Sequence, residues 1–69
     1  MNQWNLSKRE EETVDLLCLL GDQGSAAQKM GIRHETYRKN LVNVRRKMGV
    51  DNTILAVLKW DREVMGRDL

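Results

Sequence analysis

The 69-residue chain contains no proline and no phenylalanine, and only one cysteine, one tyrosine and two tryptophans. The lack of proline suits helices, whose interiors proline breaks. A single cysteine, Cys18, excludes an intramolecular disulfide and a cysteine-based zinc cluster, and fits a reduced, cytoplasmic setting. Long apolar runs are missing too. The longest, residues 16–20, is far short of the roughly 20 residues that a membrane span requires, and the N-terminus lacks a signal-peptide layout. Catalytic pairings are equally scarce. His34 is the only histidine and has only Glu35 beside it as a second ligand type. Neither His34 nor Cys18 has a partner at a spacing that suggests nucleophilic catalysis. The five glycines are spread out rather than gathered into a phosphate-binding loop. These absences argue against an enzyme, and no cofactor or metal is expected.

The chain is too short for two domains, and a chain this small buries only about 60% of the surface its unfolded form exposes. At 41% hydrophobic and 32% charged it is globular in composition. Its net charge of +2 hides a strong asymmetry. Residues 1–28 carry two basic and five acidic side chains, residues 29–47 seven basic and one acidic, and residues 48–69 three basic and four acidic. A basic segment between two acidic ones is the electrostatic footprint of nucleic-acid binding. The alternative is a solvated helix face.

Helix ends can be read along the chain. Ser7 with Glu10 three residues later forms a capping box, and Val14, Leu17, Cys18 and Leu20 follow the spacing of a buried stripe. Gly21 ends this first helix. Asp22 caps a short second helix containing Ala26, Ala27 and Met30, which Gly31 ends, and Ile32 is a buried hinge before a third helix begins near Arg33. The third helix carries Tyr37, Leu41, Val44 and Met48 on one face. Gly49 ends it, and Asp51 or Asn52 caps the fourth. The expected fold is all-α, four helices over about residues 7–20, 22–30, 33–48 and 52–65, without a winged element.

Helix, glycine turn, short helix, glycine turn, basic helix is the order of a helix-turn-helix, in which the helix after the turn, here the third, enters the DNA major groove. With the apolar face of the third helix docked inward, Arg38, Lys39, Val42 and Asn43 point out. Arg and Lys donate to guanine, Asn pairs with adenine, and Val contacts a thymine methyl. Thr36, Arg46 and Lys47 are placed for phosphates.

The ordered set Leu6-Ser7-x-Arg9-Glu10, Leu16-Leu17, Ala27, Gly31-Ile32, Thr36, Asn43, Arg46-Lys47, Gly49-Val50 and Ala56-Val57 resembles the LuxR-type, or GerE-type, DNA-binding domain. The resemblance covers about residues 6–60. It implies a third helix that reads DNA, with Arg38, Lys39 and Val42 toward bases and Thr36, Asn40 and Lys47 toward the backbone. It also implies a dimer contact on the fourth helix. The chain departs from the pattern at Arg33, in place of the usual Ser or Thr cap, at Tyr37 in place of Val, at Asn40 in place of His, and at Thr53 in place of Arg. Base preference therefore does not transfer.

The fourth helix spreads Ile54, Leu55, Ala56, Val57, Leu58, Trp60, Val64 and Met65 over more than half its circumference, with Asp61 interrupting them. One core needs only a stripe. The surplus points to a homodimer surface of Ile54, Leu55, Leu58 and Trp60, with a heterologous protein or packing of the two chain ends as the alternatives. The function expected is that of a DNA-binding transcriptional regulator on double-stranded DNA, either a standalone domain or the excised C-terminal part of a larger protein. A module resembling sigma region 4, with RNA polymerase as a further candidate partner, and a fold that sequesters another regulator are the alternatives.

Overall fold

The computed structural model describes residues 3–66. Four helices follow one another: α1 Lys8–Leu20, α2 Gln23–Met30, α3 His34–Met48 and α4 Thr53–Glu63, with no strand among the described residues. The domain is all-α. Each helix starts within a residue of its expected position, whereas α4 stops two residues before Met65. The amides of Val64 and Met65 both donate to the Trp60 carbonyl, and Gly66 then turns the chain away at φ 72°.

The helix ends have local causes. In α1 the Ser7 hydroxyl accepts from the Glu10 amide at 3.2 Å, while Glu10 Oε1 accepts from the Ser7 amide at 2.9 Å. This reciprocal arrangement satisfies two amides that a helix start otherwise leaves open. Asp22 Oδ2 accepts from the Ser25 amide and hydroxyl, both at 2.8 Å, and Asn52 Oδ1 from the Leu55 amide at 2.9 Å. The Ser25 hydroxyl and amide hold the Asp22 carboxyl below its ordinary value. Arg33 makes no side-chain cap at the start of α3. Gly21 and Gly31 take φ 71° and 70°, a left-handed conformation in which a side chain is strained even though space for a Cβ is open.

Two apolar clusters fill the interior. Leu6, Val14, Val44, Met48, Ala56 and Trp60 form one, against which Trp4, Cys18, Val50 and Met65 pack. Leu17, Ala26, Ala27, Tyr37 and Leu41 form the other, with Leu16, Met30, Ile32 and Val57 around them. The α3 stripe of Tyr37, Leu41, Val44 and Met48 is wholly buried and joins the two clusters. Ile32 is half-buried rather than buried, and Leu20, expected on the inner stripe of α1, is exposed beside the solvent-facing Gly21 turn.

Candidate nucleic-acid interface

Burial of one face of α3 determines what the other offers. Thr36, Arg38, Lys39 and Arg46 are exposed and Val42 is 49% exposed. Arg38, Lys39, Val42 and Arg46 follow at intervals of one, three and four residues, so they form one row about 12 Å long. The major groove, about 12 Å wide, admits one helix. The row presents two kinds of contact, cationic donors and an apolar methyl surface.

The neighbouring polar residues are committed elsewhere. Arg45 Nη1 donates to Thr53 Oγ1 at 2.8 Å, which ties α3 to the first residue of α4. Thr53 is the residue that stands here in place of the Arg of the resembled pattern. Asn43 Oδ1 accepts from Arg46 Nη2 at 2.9 Å, one turn along the same helix, so Asn43 braces the guanidinium. Two expected backbone contacts are drawn instead toward α1. Lys47 Nζ donates to Glu10 Oε1 at 2.8 Å, and half-buried Asn40 places Nδ2 3.5 Å from Thr13 Oγ1. Spacing along α3 placed both near the basic face. An acid and a hydroxyl on another helix are invisible to that periodicity, and they redirect the side chains. The row that remains outward is Arg38, Lys39, Val42 and Arg46, with Thr36 at its N-terminal end.

The Lys47 ammonium beside Glu10, with the Ser7 amide, holds the Glu10 carboxyl below its ordinary value of 4.5. A carboxyl so depressed adds stability above pH 4.5 and loses it as the pH falls through the lowered value. Glu10→Gln keeps an acceptor for the cap and removes the charge. At pH 7 it should cost about 1 kcal/mol, or about 4–8 °C in melting temperature for a domain this size. Thermal melts from pH 7 down to pH 3 should show the gap to wild type closing only below about pH 4.5. A gap independent of pH would show that the ion pair contributes nothing.

A second surface is apolar. Ile54, Leu55 and Leu58 on α4 are 71%, 44% and 37% exposed. An open groove of about 490 Å³ runs between the end of α1, the start of α2 and α4, with Leu17, Ile54, Val57 and Leu58 on its walls. Trp60, expected on this surface, is not there. It is 3% exposed, its indole N–H donates to Asp15 Oδ1 at 3.2 Å, and its ring lies 6.2 Å from that of Trp4. The core takes the part of the α4 arc that holds Ala56 and Trp60, and leaves Ile54, Leu55 and Leu58 outside. Asp61, which interrupts the arc in sequence, is buried.

These features describe a small all-α domain of four helices with one basic helix face and one apolar helix face. Among the described residues no helix is long and apolar enough to cross a membrane, and no three His, Cys, Asp or Glu side chains gather as a metal site. No family model, no curated protein and no solved structure matches the chain significantly.

Proposed function

We propose that the protein is a sequence-specific DNA-binding regulator of the helix-turn-helix class, resembling the LuxR type, with α3 in the major groove. The observation that carries this reading is the outward row Arg38, Lys39, Val42 and Arg46 on a helix whose opposite face is entirely core. Arg38 and Lys39 are the base-edge donors, Val42 the methyl contact, and Thr36 and Arg46 the phosphate contacts. Lys47, exposed but paired with Glu10, and Asn40 beside Thr13 brace α3 against α1. Two copies bind through Ile54, Leu55 and Leu58 of α4, each presenting the same patch to the other.

The test is binding to duplex DNA across a range of salt concentrations, because each phosphate contact releases counterions and steepens the salt dependence. After an operator has been selected from random duplexes, Arg38→Ala should weaken operator binding by about 1–3 kcal/mol and relax preference at one position. Arg46→Ala should weaken all duplexes equally and lower the salt slope by about 1. Equal, sequence-independent losses for both would refute the division of roles.

The apolar groove beside α4 favours a second reading, in which the same fold binds or sequesters another regulator or RNA polymerase without touching DNA. A module resembling sigma region 4 combines both. Absence of salt-dependent DNA binding would transfer the conclusion to the sequestering reading.

A further inference from the structure

Three polar side chains of α3 converge on one turn of α1. Tyr37, near the start of α3, donates its hydroxyl to the Thr13 carbonyl, and both residues are fully buried. Asn40, one turn later, places Nδ2 3.5 Å from Thr13 Oγ1. Lys47, in the last turn, reaches Glu10 at 2.8 Å. Tyr37 and Lys47 stand about 15 Å apart along α3, while Glu10 and Thr13 are neighbours on α1, about 4.5 Å apart along its axis. Two struts from the two ends of one helix to a single turn of another form a triangle.

The anchoring turn is itself braced. Glu10 Oε1 also accepts from the Ser7 amide, and Thr13 Oγ1 donates to the Arg9 carbonyl at 2.8 Å. Apolar contact lies alongside, with Val14 in one cluster with Val44 and Met48, and Leu17 in the other with Leu41. Apolar contacts are non-directional, whereas a hydrogen bond weakens steeply with misalignment. The packing selects which face of α3 turns inward, and the struts add directional restraint to that rotation.

We propose that Tyr37 is a positioning residue that sets the rotation of α3 about its own axis, and so aims Arg38, Lys39 and Val42, through its bond to the Thr13 carbonyl. Burial pushes the Tyr37 hydroxyl up to about 12, so it stays protonated and remains a donor at any physiological pH. The effect on base discrimination rests on the DNA-binding reading above, whereas the effect on helix orientation does not.

The test variant is Tyr37→Phe, which keeps the ring and deletes the donor. The Thr13 carbonyl retains its place in the α1 helix, so the fold is expected to survive. Residual dipolar couplings of the isolated protein should report a changed orientation of α3 relative to α1. The ratio of operator to unrelated-duplex affinity should fall about tenfold, part of the range that one base contact commands, with unrelated-duplex affinity and salt slope unchanged. In an Arg38→Ala background the same substitution should lower the ratio less, because part of what it aims is gone. Ala56→Gly, which weakens the fold from α4, serves as a stability control and should leave the ratio where it is. Unchanged couplings overturn the proposal whatever DNA does. A ratio that falls equally with Ala56→Gly also overturns it, since the loss is then one of general stability. If the wild-type protein binds no duplex while Tyr37→Phe still turns α3, the mount stands and the DNA-binding reading falls.

Discussion

Trp60→Ala should leave much of the protein unfolded at 25 °C. Removing a buried tryptophan costs about 3–5 kcal/mol, and the whole core of a domain this small supplies about that much. Trp60 touches more than one support: it joins Leu6, Val14, Val44, Met48 and Ala56 in one cluster, packs beside Trp4, and donates to Asp15. The substitution therefore opens a cavity between α1, α3 and α4 and leaves Asp15 without that donor. Far-UV circular dichroism and urea denaturation, with Trp4 as the remaining fluorophore, measure the effect. A melting temperature within a few degrees of wild type would mean that Trp60 is not part of the core.

The same helix should respond in the opposite way five residues earlier. Leu55 is 44% exposed, so Leu55→Glu should change stability by no more than about 0.5 kcal/mol in either direction. Its effect should fall on assembly. In the proposed dimer one substitution counts twice, because a two-fold interface presents the same residue from both copies. Half-sites spaced about 10 bp apart would put both α3 helices on one face of the duplex. Cooperative occupation of such a site should fall by about 5–150-fold, the usual range of a coupling between sites, while binding to a lone half-site stays unchanged. The free protein should be largely monomeric in dilute solution, since a single-helix contact falls below the roughly 1,200 Å² of a stable interface. Folded Leu55→Glu and Leu58→Glu variants that keep full cooperativity, or a footprint covering one half-site, would refute the dimer.

The two substitutions together separate the faces of α4, which the sequence leaves open. An apolar arc wider than a core requires says that some of it lies outside. It does not say which part. Ala56 and Trp60 go inward and Ile54, Leu55 and Leu58 outward because α4 crosses α1 with a particular rotation, and that rotation depends on side chains far away in the chain.

Helix existence and every helix end but the last were determined by the sequence alone, α4 stopping at Glu63 rather than at Met65. Ser7 with Glu10, Asp22 and Asn52 cap by hydrogen bonds to amides three residues away, and Gly21, Gly31 and Gly49 take the left-handed conformation that ends a helix. Such interactions span one turn, so the residues that make them are near in sequence. The buried stripe of α3, and with it the outward row of Arg38, Lys39, Val42 and Arg46, was legible for the same reason, since helical periodicity is local. Only the tertiary structure decided which cations remain on that row. Lys47 pairs with Glu10 across 37 residues, and Tyr37 bonds to Thr13 across 24. Arg45 is tied to Thr53 over a turn and a change of helix. A charge count records that these groups exist, but the direction in which each side chain points is set by the partner that the packed helices bring within about 3 Å.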